Sequence, residues 1–201
     1  MKKILGLSAL ALALAAPAFA QDTGNWLVRG RALNLQSANK DSTGLNLSVN
    51  DKTFPEVDFS YFFTPNFAAE LILTYPQKHD IRSGGTTIGS LKHLPPTLTA
   101  QYHFTGVSGF RPYVGAGVNL TLFSDVSFIP AIEAALHPTI KKSSTGLALQ
   151  AGFDVPMGSG WLFNVDVKKV QIKTDVSSSG TKVGTFKVDP TLVSIGVGKR
   201  F

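Results

Sequence analysis

From Trp26 onward, apolar residues alternate with polar or small ones at a period of two, in eight separate runs. A period of two is the mark of a β-strand whose two faces meet different surroundings. The clearest run covers residues 110–123. Its even positions, Pro112, Val114, Ala116, Val118, Leu120 and Leu122, are all apolar. Its odd positions, Arg111, Tyr113, Gly115, Gly117, Asn119 and Thr121, are polar or minimal. Residues 94–104, 147–155, 161–168 and 193–198 repeat the pattern, as do 57–63, 71–75 and 26–35, the last with Arg29 and Arg31 on one face. Tight turns rich in Pro, Gly, Asn and Ser lie at 64–66, 105–109 and 156–160. Long links lie near 36–54, 76–93, 124–144 and 173–188. Short turns at one rim and long loops at the other predict an all-β fold: an eight-stranded antiparallel transmembrane β-barrel with short periplasmic turns and long extracellular loops. One helical spacing, Ile129, Ile132 and Leu136, falls inside the third long link and reads as a loop turn on the barrel rim.

A soluble barrel also alternates, but points its apolar face inward. The polar face here is rich in glycine, at 115, 117, 152, 196 and 198, and small residues suit a crowded interior that the aliphatic face would overfill. Aromatics gather near strand ends, at Trp26, Tyr61, Phe63, Tyr75, Tyr102, Phe104, Phe110, Phe123 and Trp161, as in an interfacial girdle. Phe201 ends the chain on the parity of Val197, Ile195 and Val193, a placement expected to act as the assembly signal read by the barrel assembly machinery.

The start of the chain adds a destination. Lys2 and Lys3 precede an apolar run over 4–16, and Ala18-Phe19-Ala20 has the small-x-small form of a cleavage site. Residues 1–20 read as a cleaved signal peptide and 21–201 as one barrel domain in the bacterial outer membrane. The formal charge of +6 is scattered rather than clustered, and an exported chain has no nucleic-acid partner. The absence of Cys excludes a disulfide scaffold and a zinc-thiolate site.

Residues 93–98 (His-Leu-Pro-Pro-Thr-Leu), 101–104 (Gln-Tyr-His-Phe), 110–117 (Phe-Arg-Pro-Tyr-Val-Gly-Ala-Gly) and the terminal Gly-Lys-Arg-Phe resemble the outer membrane protein W family. The resemblance covers nearly the whole mature chain and weakens in the loops. It implies an eight-stranded barrel with a narrow apolar channel near the extracellular side, uptake of small hydrophobic compounds, and sideways exit into the membrane.

Proline placement bears on the same exit. Proline cannot donate to a strand ladder. Pro76 ends the third strand, while Pro95 and Pro96 begin the fourth; by position alone they read as ending two strands at a loop, and with the resemblance a lateral gate between those strands is the other expectation. The polar face carries Arg29, Arg31, Asp58, Glu70, Gln101, His103, Arg111, Tyr113, Asn119, Gln150, Asp154, Asn164, Asp166, Lys168 and Arg200, of both signs. Eight strands leave room only for side chains, so these are expected to pair into a plug of the lumen. Contacts to a small apolar ligand are then expected from Leu33, Leu35, Leu45, Leu47, Phe54, Ile72, Phe128, Ile129, Ile132 and Leu136.

There is no HExxH, GxSxG or phosphate-cradling glycine loop, and His79, His93, His103 and His137 lack metal-ligand spacing. His103 beside a serine would suit a lipid-modifying enzyme, but nothing positions such a pair. The expectation is a non-enzymatic barrel without cofactor or metal. It meets outer-membrane lipid and passes small apolar molecules. A structural or surface-interaction barrel working through its loops is the alternative.

Overall fold

The computed structural model describes residues 24–107 and 109–201; the expected signal peptide lies outside them. In chain order the elements are β1 (Trp26–Gln36), β2 (Lys40–Asp41), β3 (Leu47–Val49), β4 (Lys52–Phe62), β5 (Phe67–Leu73), β6 (Gln77–Ser83), β7 (Thr86–Leu94), β8 (Thr97–His103) and β9 (Arg111–Phe128). There follow α1 (Pro130–Leu136), β10 (Pro138–Ile140), β11 (Ser143–Gly158), β12 (Trp161–Val170), β13 (Lys173–Ser178), β14 (Thr181–Lys187) and β15 (Thr191–Arg200).

Eight of these strands close the barrel in the order β1-β4-β5-β8-β9-β11-β12-β15, and β15 returns to β1 with Leu27 opposite Arg200. Closure satisfies backbone groups that an open sheet would expose to lipid. All neighbours are antiparallel, so the alternation sends one face of every strand outward. Val114, Val118, Leu120, Leu147, Leu149, Val167, Ile195 and Val197 are exposed, while Arg29, Asp58, Glu70 and Asn164 are fully buried. No described helix is long and apolar enough to cross a membrane; the barrel crosses with strands.

The long links are not loops. Once past the membrane band, the chain keeps pairing: β6 and β7 form a hairpin along the outer end of β9, β3 pairs with β6, and β10, β13, β14 and β2 make a second four-stranded sheet. Alternation in these segments is weaker because their buried face mixes apolar residues such as Ile81, Leu91 and Val176 with polar ones such as Gln77, His79, His93 and Thr174, which is why it escaped the sequence reading. The expected rim turn at 129–137 is a helix, α1, which buries none of its residues. Phe123 departs from the girdle. It shares the inward parity of Tyr113 and Thr121 and is buried inside the outer mouth, whereas Trp26, Phe63, Tyr75, Tyr102, Phe104, Phe110 and Trp161 are exposed.

Candidate functional site

The bore is divided along its length by side-chain chemistry. At mid-membrane the inward faces carry charge. Arg29 and Arg31 on β1 lie directly opposite Asp58 and Glu56 on β4. The Arg29 guanidinium approaches Asp58 Oδ1 at 3.1 Å and, across the bore, Asp154 Oδ2 at 2.7 Å. Arg31 reaches Glu56 at 2.7 Å and Asp58 at 2.9 Å. Lys168 Nζ donates to Asp166 at 2.6 Å and to Glu56 at 3.1 Å. Tyr113 Oη donates to the other Asp166 oxygen at 2.8 Å, and Gln150 and Thr99 donate to Glu70 at 2.9 and 3.2 Å. Burying a charge without partners is prohibitive, and here each one has several. Gly152 makes room for the Tyr113 ring: a Cβ there would stand 2.5 Å from Tyr113 Oη.

Of the expected lumen residues, Asp58, Glu70, Gln101, His103, Tyr113, Asn119, Gln150, Asp154, Asn164, Asp166, Lys168, Arg29 and Arg31 are buried in the bore. Arg111 and Arg200 instead line a periplasmic vestibule of about 630 Å³, together with His103, Asp154 and Phe62. His103 pairs with Gln101 at 2.9 Å and stacks on Tyr113. Glu56 was missed from sequence. It shares the even parity of Asp58 and Ser60, a signal that could have found it.

Outward of Lys168 the interior turns apolar. A continuous cluster of buried side chains runs from Leu33, Leu35 and Phe54 through Phe123, Leu91 and Val49 to Val176 and Phe186. Two spaces open along it. The inner one, about 20 Å³, is bounded by Leu33, Leu35, Phe54, Ile72, Thr74 and Pro95. Its polar floor is Glu56, Lys168 and Asn119. The outer one, about 110 Å³, opens at the mouth between Leu45, Leu47, Ile81, Phe128, Ile132, Leu136 and Phe186. Nine of the ten expected ligand contacts therefore fall on these two spaces. Ile129 does not: it caps α1 and is exposed.

The wall beside the inner space is interrupted. The β5–β8 ladder ends at Ile72 opposite Thr97, and pairing resumes in the β6–β7 hairpin at Gln77 opposite His93. Residues 73–76 thus stand against the shorter stretch 94–96, a bulge-like offset. Pro76, Pro95 and Pro96 all lie in it. The Thr74 hydroxyl is buried there without a partner. On the other side of β5, pairing with β4 begins only at Val57 opposite Leu73. The outer half of β4, residues 52–56, holds β1 on one edge and has no strand on the other.

Among the described residues no group of three or more His, Cys, Asp or Glu side chains is arranged to hold a metal. Outside the membrane band, burial and then His79 and Lys52 push the His93 imidazole down to about 3, and burial lowers His79. The two rings pack edge to face, and His79 Nδ1 donates to the Asn50 carbonyl at 2.9 Å.

The profile of the OmpW family matches residues 22–201. An outer-membrane protein of Sinorhizobium fredii, y4mB, is 40% identical over 186 residues, covering 88% of this chain and 80% of its own. Outer membrane protein W of Escherichia coli is 34% identical over 213 residues, with both chains covered in full. The crystal structure of OprG from Pseudomonas aeruginosa superposes with a TM-score of 0.77 at 28% identity, over 89% of this chain and 96% of that one.

Proposed function

Because this chain belongs to the OmpW family of outer-membrane β-barrels, we propose that it admits small apolar molecules at its outer mouth and releases them sideways into the membrane at the Pro76, Pro95 and Pro96 corner. The observation that carries this reading is the division of the bore. A mainly apolar lining, interrupted by a few polar side chains such as Thr174 and Thr74, leads inward from the mouth to Pro95 and stops on Glu56, Lys168 and Asn119. Beyond that floor a solute would have to break ion pairs and shed its own apolar contacts into a charged bore, which is unfavourable on both counts. The paired charges act as a plug, so neither the solute nor ions pass along the axis. Sideways, the solute meets a bulge, three prolines and an unpaired β4 edge, where few ladder hydrogen bonds must break. The lining is filled by side chains rather than open, so passage requires Phe123, Leu91 and their neighbours to move aside.

The test is uptake of a small alkane or terpene into liposomes bearing the purified barrel, beside single-channel conductance. The expected result is faster apolar uptake with little ion conductance. The Pro95→Ala, Pro96→Ala double variant should slow that uptake. Uptake no faster than in empty liposomes would overturn the reading and favour a surface-interaction barrel.

A further inference from the structure

The outward face of the barrel continues above the membrane without a break in parity. On β12 and β13, Val167, Lys169, Gln171 and Lys173 all point out between buried neighbours. On β15 and β14 the same series runs from Val193 through Thr191 and Asp189 to Lys187. On β1 and β2 it runs from Ala32 through Asn34, Gln36 and Ala38 to Lys40. Lys173 pairs with Lys187, and Lys187 with Lys40. Three exposed lysines therefore stand abreast on adjacent strands, on the face that lower down meets lipid. Facing positions of antiparallel strands lie about 5 Å apart, and like charges there are destabilising.

Among the described residues, none of the three makes an ion pair. Every nearby carboxylate is engaged elsewhere: Asp175 holds Lys182 at 2.7 Å, Asp189 accepts the Ile172 amide at 3.0 Å, and Asp41 accepts the Thr43 and Leu47 amides. The other facing lysine pair, Lys78 and Lys92, differs, because Asp125 sits 2.7 Å from Lys92 Nζ. The nearest carboxylates, Asp189 two residues along from Lys187 and Asp41 beside Lys40, are turned to backbone amides rather than to these lysines, so the row stays without an ion-pair partner and open to an anion from outside. Its position says which. Lys173 lies twelve residues beyond the girdle residue Trp161, roughly 30 Å of rise for a tilted strand, just past an apolar band of about 25 Å. This is the depth of a headgroup, and phosphates borne on a lipid's sugars reach farther out than those of a phospholipid.

We propose that Lys40, Lys173 and Lys187 form a docking row for the phosphorylated sugar headgroup of the outer-leaflet glycolipid. This holds whether or not the barrel transports anything. Each lysine near an anionic surface contributes about a fivefold gain in binding. The K40Q/K173Q/K187Q variant should therefore retain far less glycolipid, by up to roughly 100-fold.

The experiment reconstitutes the mature barrel with lipopolysaccharide, intact or chemically dephosphorylated, and counts bound copies by native mass spectrometry. Wild type should retain the intact glycolipid, the triple glutamine variant should lose it, and the triple arginine variant should keep it. With dephosphorylated glycolipid, wild type and the glutamine variant should be alike. In uncharged detergent the glutamine variant should melt higher than wild type, since its repulsion is gone; this also shows that it folds. Equal retention by wild type and the glutamine variant would overturn the proposal, as would retention indifferent to dephosphorylation. Displacement of the glycolipid by millimolar inorganic phosphate would overturn it too, assigning the row to a soluble anion.

Discussion

Arg29 on β1 and Asp154 on β11 meet at 2.7 Å across the bore, although 125 residues separate them in the chain. The pair ties two walls that are not neighbours in the sheet. Removing one partner of a buried pair leaves the other charge uncompensated, at a cost of about 3–5 kcal/mol. Asp154→Ala should lose stability at the low end of that range, because Asp58 and Glu70 still face Arg29. Urea unfolding in detergent micelles would measure it. A change below about 1 kcal/mol, the range of exposed pairs, would mean that water reaches the network.

Gly152 tests the packing of the same layer. The Cβ of Gly152→Ala would collide with Tyr113 Oη and with the Val165 carbonyl, 2.6 Å away. The hydroxyl cannot retreat without giving up Asp166 and Asn164. Overpacking of this kind costs roughly 1–3 kcal/mol. The double variant Gly152→Ala, Tyr113→Phe should recover part of the loss in the same unfolding assay.

Acid should loosen the outer hairpin before the barrel. His79 and His93 are held neutral in the fold, His93 down to about 3, whereas the unfolded chain protonates them near pH 6.5. A folded value below the unfolded one gives stability that is complete above about pH 6.5 and is lost as the pH falls towards about 3. By about pH 5 the loss at His93 is on the order of 2 kcal/mol. Amide protection factors in residues 77–94, with the intrinsic pH dependence of exchange divided out, should fall between about pH 7.5 and 5 in wild type. They should lose that pH response in His79→Gln, His93→Gln.

Filling the mouth separates the apolar route from the charged bore. Ile132 projects from α1 into the outer space, and that helix buries none of its residues. Ile132→Trp should therefore fold normally, with unchanged conductance, yet slow terpene uptake severalfold. Unchanged uptake would place the entry route elsewhere.

Phe201 closes the barrel through its backbone, exchanging two hydrogen bonds with Trp26, while the residue remains 63% exposed. Phe201→Ala should thus refold in detergent with an unchanged urea midpoint. If the ring is the assembly signal, the amount of barrel reaching the outer membrane in cells should still fall severalfold. Normal levels in cells would remove that role.

The alternation along the chain was enough for the eight barrel strands, the outward face and the polar inward face. A period-two pattern with bulky residues on one side and glycine on the other admits a single placement in lipid. Arg29, Asp58, Glu70, Asp154 and Lys168 were legible for that reason. Tertiary structure alone decided which charges meet, since Arg29 and Asp154 are brought together by closure. It also decided that the long links continue as strands above the membrane, because β7 pairs with the outer end of β9 and β13 pairs with β10 and β14, partners that no local pattern announces. Phe123 and Glu56 mark the boundary between the two. Both obey the parity rule, but only the closed barrel shows that at those heights the inside is apolar around one and charged around the other. The row of Lys40, Lys173 and Lys187 lies wholly on the tertiary side: residues far apart in the chain become neighbours only through strand register, which is set by backbone pairing across the sheet.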